Sequence, residues 1–118
     1  MRSTDNIQKT FDGTNIQPEL SVVTSTIRQI APQAKVFLFG SFVDGRPHKY
    51  SDFDLCVVVP ELSGDRFDLM DRIREGIFDK TSLPTDILLF TNAEFERNAE
   101  KKSKIQYMIA HNGVLLNA

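Results

Sequence analysis

Tryptophan is absent, cysteine occurs once and histidine twice in these 118 residues. The lone Cys56 excludes an internal disulfide and a cysteine-cluster zinc site. His48 and His111 lie far apart along the chain, which argues against a histidine-rich metal site. No apolar run approaches the ~18 residues of a membrane span. The opening Met1-Arg2-Ser3-Thr4-Asp5-Asn6 lacks the apolar stretch of a secretory signal. A soluble, cytoplasmic protein is therefore expected. Excess positive charge is also missing: the formal net charge is −2. Phosphate neutralisation needs clustered Lys and Arg, so a generally basic nucleic-acid binder is disfavoured. Core-forming residues are not scarce. Leu, Ile, Val and Phe make up about 31% of the chain, well above the roughly 20% below which chains stay disordered. The length is that of one domain.

No repeat or low-complexity tract is present. Residues 1–17 are polar, with Ile7, Phe11 and Ile16 at no regular period, and read as a flexible N-terminal arm. A single domain is expected over 18–118. Pro18 suits a first helical turn and Glu19 the positive end of the helix dipole. Leu20, Val23, Ile27 and Ile30 recur at helical spacing, which predicts a helix over 18–31 that ends before Pro32. Val36 to Phe39 is a buried strand stopped by Gly40, and Phe53 to Val59 a second strand ended by Pro60. Asp65 caps a helix running to about Lys80, with Phe67, Met70, Ile73 and Ile77 inward. Asp86 to Phe90 is a third strand. A last helical stretch covers about 92–112, with a possible break near Lys101, and Gly113 stops it. Val114-Leu115-Leu116 is a short strand or a docked tail. Helices interleaved with three or four strands give an α/β (α+β) domain with a small sheet.

The informative residues cluster around the first two strands. In a strand, residues i and i+2 share a face, about 6.6 Å apart. Asp52 and Asp54 therefore aim two carboxylates at one place, with Phe53 pointing the other way. Converging carboxylates repel, and one takes up a proton unless a cation intervenes. Mg²⁺ favours such sites, binding one or two carboxylates together with substrate phosphates. Asp86 opens the third strand. A helical crossover makes strands two and three parallel, so their starts share one sheet edge and Asp86 joins the pair. Three acids there can hold two Mg²⁺ roughly 3.5–4 Å apart, the arrangement of two-metal phosphoryl transfer. If strand one runs antiparallel to strand two, Gly40-Ser41 arrives at the same edge. Gly40 permits close approach of backbone to a ligand, and Ser41 opens a short helix whose N–H groups can face a phosphate.

Gly40-Ser41, Asp52-x-Asp54 and a later strand acid, Asp86, resemble the nucleotidyltransferase fold of the DNA polymerase beta superfamily. The run Phe39-Gly40-Ser41-Phe42-x-x-Gly45 followed by Ser51-Asp52-Phe53-Asp54-Leu55 is similar to the minimal nucleotidyltransferases, over roughly residues 18–116. The resemblance implies a small mixed sheet packed with helices. It implies that Asp52 and Asp54 bind Mg²⁺ with the triphosphate of ATP. Asp86 would help bind the second ion and activate the attacking hydroxyl, and Gly40 and Ser41 would contact the β and γ phosphates. It further implies an antitoxin paired with a HEPN-domain toxin, transferring AMP to a tyrosine of that toxin. Relatives often carry Arg in the short helix after Gly-Ser, where this chain has Phe42 and Asp44; the departure implies either Arg46 as the substitute phosphate ligand or weak binding of the triphosphate. Only some 28 residues follow Phe90, so the acceptor surface is expected from another chain, a partner or a second copy. The alternatives are a catalytically weak antitoxin that covers its toxin, and a transferase for a small-molecule acceptor.

Several residues carry a plainer reading. His48, between Arg46 and Lys49, fits a solvated loop better than a catalytic base. Cys56 continues the Asp52–Asp54 face as a buried apolar filler. Arg97, Lys101, Lys102 and Lys104 form a solvated helix face.

Overall fold

A computed structural model describes residues 2–45 and 47–117. Two layers of helix enclose a four-stranded mixed sheet. α1 (Gln17–Ile30) leads to β1 (Lys35–Phe39), a one-turn helix α2 (Ser41–Asp44) and β2 (Phe53–Val59). α3 (Arg66–Ile77) runs on through a 3₁₀ turn, Phe78–Lys80, to β3 (Thr85–Thr91), α4 (Asn92–Ala99), α5 (Ile105–Asn112) and β4 (Val114–Leu115). The strand order is β3-β2-β1-β4. β1 is antiparallel to β2 and β4, and β2 is parallel to β3, as the helical crossover requires.

Side-chain alternation divides the core in two. Val36 and Leu38 of β1, Phe53, Leu55, Val57 and Val59 of β2, and Ile87 and Leu89 of β3 pack under α1 and α3 through Leu20, Val23, Ile27, Ile73 and Ile77. On the other face Phe37, Phe39, Cys56, Val58, Leu88 and Phe90 pack under α4 and α5 through Phe95, Met108 and Ile109. Phe95 stacks on Phe37 with ring centres 5.5 Å apart. Gly76 lets α1 and α3 close up: a Cβ there would lie 2.8 Å from the Ile30 Cδ1 methyl.

The break expected near Lys101 is found, with α4 ending at Ala99 and α5 starting at Ile105. Four expectations change. Lys101, Lys102 and Lys104, read as part of a solvated helix face, lie in the polar connection between α4 and α5. The helix begun at Asp65 is α-helical only to Ile77 before tightening to 3₁₀. Phe67, expected inward, is 68% exposed, because the stripe of α3 that meets the core runs through Leu69, Met70, Ile73 and Ile77 and Phe67 is rotated off it. Residues 2–16, read as a flexible arm, lie against the domain. Ile16 is buried, Ile7 packs on the larger core, and the Gln8 N–H donates to the Phe42 carbonyl at 2.8 Å. Those contacts follow no period, so nothing in the sequence pattern announces them. The short segment after α5 is a strand: β4 pairs with Phe37 and Leu38, and Asn117 extends the pairing by accepting from the Val36 N–H and donating to the Ala34 carbonyl.

Candidate active site

The sheet brings three carboxylates to one edge. In the parallel register Asp54 is directly opposite Asp86, and Phe53 opposite Thr85. The Phe53 N–H donates to the Pro84 carbonyl at 2.9 Å, carrying the ladder past the start of β2, so Asp52 enters beside β3. Asp54 and Asp86 belong to the face that carries Cys56 and Leu88, which places both carboxylates on the α4/α5 side. Asp86 is exposed, while Asp52 and Asp54 are half-buried.

The electrostatics record this convergence. Burial, then the neighbouring Asp86 and Asp52 charges, push the Asp54 carboxyl up to about 6. Among the described residues, no Lys, Arg or His forms an ion pair with any of the three. Beneath them Cys56 is fully buried, and burial pushes its thiol up to about 12, as befits a filler.

β1 delivers its last residue, Phe39, opposite Asp54. Gly40 follows with φ +84° and ψ −150°, a region essentially closed to other residues. A Cβ on Gly40 would overlap the Asp54 carboxylate, reaching 3.1 Å from its Cγ. The backbone of the Gly40-Ser41 turn therefore lies directly against an acid of the cluster. α2 then closes as one turn, with the Val43 and Asp44 N–H groups donating to the Gly40 carbonyl at 3.0 and 2.8 Å. Phe42, one of the departures from the Arg pattern, is fully buried and packs on Phe53 at 5.2 Å, so it anchors α2 to the core.

Arg46 lies outside the described residues. His48 stays a loop residue: its backbone N–H donates to the Ser51 hydroxyl at 2.8 Å and its Nδ1 accepts from the Tyr50 N–H. Ser51 is a positioning residue that sequence reading missed. It is 5% exposed and fixes the turn that delivers Asp52; its place immediately before Asp-x-Asp was the available signal. Glu19 was read only as a dipole partner. Its carboxylate accepts from the Ser82 backbone N–H and hydroxyl, holding the approach to β3 and so to Asp86.

Among the described residues, no group of three His, Cys, Asp or Glu side chains is arranged to hold a metal ion as it stands. The donor chemistry nevertheless suits a hard divalent cation: carboxylates only, mutually repelling, with no basic partner among the described residues. Also among the described residues, no helix is long and apolar enough to cross a membrane.

Comparison with known proteins agrees with this geometry. Residues 20–111 match the family model described as a nucleotidyltransferase domain. Over 66 residues the chain is 38% identical to the probable protein adenylyltransferase MntA of Haemophilus influenzae, covering 56% of this chain and 55% of that protein. The chain thus spans about half the length of that relative. Among solved structures, one described as a toxin-antitoxin with AMP-PNP superposes with a TM-score of 0.53 at 18% identity, covering 85% of this chain and 73% of the other. At that identity the likeness concerns the fold.

Proposed function

The chain belongs to the nucleotidyltransferase domain family, and from that premise we propose that it is a Mg²⁺-dependent protein adenylyltransferase of the minimal type. In this reading it is an antitoxin that transfers AMP from ATP to a tyrosine hydroxyl of a HEPN-domain toxin. The observation that carries the reading is the register of Asp54 on Asp86, with the Gly40-Ser41 backbone packed against Asp54. The name of the Haemophilus relative supports the protein acceptor and the adenylyl group.

Asp52, Asp54 and Asp86 would hold two Mg²⁺, which when bound neutralise the triphosphate and orient its α-phosphorus. Gly40 and Ser41 contact the β and γ phosphates, since only a residue without Cβ brings the backbone this close to the acids. Asp86, the most exposed acid, receives the proton of the attacking hydroxyl at its carboxylate. The hydroxyl oxygen bonds to the α-phosphorus, the bond to the bridging oxygen breaks, and pyrophosphate leaves. Charge at the edge favours a bound cation over none, because Asp54 already resists ionisation through its burial and then through the Asp86 and Asp52 charges.

The test is a mass measurement. The neighbouring-frame protein, incubated with this chain, ATP and Mg²⁺, is expected to gain whole AMP units, and to gain none with Asp52→Asn. No gain despite a stable complex would move the function to inhibition by covering the toxin.

A further inference from the structure

Arg2 and Asp44 form a pair at the phosphate turn that neither the family match nor the site residues account for. The Arg2 guanidinium donates to the Val43 carbonyl at 2.5 Å and stands 3.3 Å from the Asp44 carboxylate. Its backbone is fixed as well. The Arg2 N–H donates to the Gly113 carbonyl at 3.0 Å, and Arg2 bridges to Val114 in parallel fashion. Six residues on, the Gln8 N–H donates to the Phe42 carbonyl. The N-terminal segment thus satisfies two carbonyls of α2, a single turn too short to hold its shape unaided, and ties it to the start of the edge strand β4.

The charge of Asp44 matters because of where it lies. Three residues of helix separate it from Ser41, about 4.5 Å along the axis. That is well inside the ~8 Å over which charges are felt at physiological salt. An unpaired carboxylate there would add to the negative charge of Asp52, Asp54 and Asp86 facing an incoming triphosphate. Paired with Arg2, it contributes almost nothing.

We propose that Arg2 is a positioning residue for nucleoside triphosphate: it cancels the Asp44 charge and closes the carboxyl end of the turn whose other end meets the phosphates. This rests on the nucleotidyltransferase reading above. Because the pair is partly exposed, its contribution to folding is small, and its effect falls on the ligand.

The experiment is calorimetric titration of the full chain with a non-hydrolysable ATP analogue and Mg²⁺. Arg2→Ala is expected to weaken binding about five- to tenfold. Arg2→Lys retains most of the affinity. Arg2→Ala combined with Asp44→Asn returns to within about twofold of the unmodified chain, because the charge left unpaired has been removed. Undiminished binding by Arg2→Ala overturns the proposal. So does a double variant as weak as Arg2→Ala, since that would reduce Arg2 to a structural tether. If the unmodified chain binds no nucleotide, the functional reading itself falls and takes the proposal with it; the other two failures leave that reading standing.

Discussion

Replacing Asp54 with asparagine is expected to abolish nucleotide transfer and, in metal-free buffer above pH 6, to make the protein more stable. The two effects have one cause. Burial and the Asp86 and Asp52 charges hold the Asp54 carboxyl at about 6 in the folded protein, against roughly 3.9 in an unfolded chain. Between those values the folded state binds more protons than the unfolded state. Its stability is therefore greatest below about pH 4 with respect to this group, and is lost as pH rises through 6. Above that pH the site keeps an ionised carboxylate at a net cost. The group is half-exposed, so solvent screening reduces that cost to about 1 kcal/mol, equivalent to about 4 °C in Tm. Asparagine keeps the shape and drops the charge. Thermal melts from pH 4 to 8 should show the unmodified protein falling relative to Asp54→Asn, with the difference closing at low pH. Mg²⁺ should raise the Tm of the unmodified protein and leave that of Asp54→Asn unmoved. A variant less stable than its parent at pH 7.5 would mean that Asp54 makes a structural interaction outweighing the repulsion.

Gly40→Ala is expected to do the reverse, damaging stability and chemistry together. The backbone at φ +84° and ψ −150° costs an L residue about 1–3 kcal/mol on its own. The new methyl also meets Asp54: the carboxylate must turn away, and the Asp54 Cβ, 3.3 Å off and fixed by its place in β2, stays in tight contact. A loss of about 2–4 kcal/mol follows, near the upper end for single substitutions. Transfer should fall at least about 100-fold, because small displacements of reacting groups have effects of that size. Adding Asp54→Ala to Gly40→Ala removes the collision and leaves the backbone strain. The double variant should therefore recover part of the lost Tm and no transfer. Equal Tm values for the single and double variants would show that the collision is relieved some other way.

Much of this site was legible before any coordinates, and the reason is periodicity. The i, i+2 spacing of Asp52 and Asp54, and a helix between Val59 and Asp86, suffice to place three acids at one edge. Burial does most to raise Asp54, a contribution the spacing does not announce; the neighbouring Asp86 and then Asp52 charges add to it. Contacts without a period stayed hidden. Asp44 reads in the sequence as a stray negative charge in a phosphate turn; its partner is 42 positions earlier, in a segment whose apolar residues follow no pattern. Ile16 reads as part of a polar tail and proves fully buried. Phe67 is three residues before Met70 and so reads as part of the α3 stripe, but the stripe that meets the core runs through Leu69, Met70, Ile73 and Ile77 and leaves Phe67 to one side. Glu19 acts through Ser82, 63 positions on, and such a bond depends on where the chain folds back, whereas Ser51 acts locally on the His48 N–H within its own turn.

The pairing of Asp54 with Asp86 also has a kinetic side. These partners are 32 residues apart, and a parallel pair cannot zip from a tight turn; it waits for the crossover helix to be in place. Until then Asp86 is held apart from Asp52 and Asp54, which are only two residues from each other in sequence, so the three-carboxylate cluster does not exist in the partly folded chain. On the reading proposed above, a divalent ion would meet its full set of acids only once the sheet has assembled.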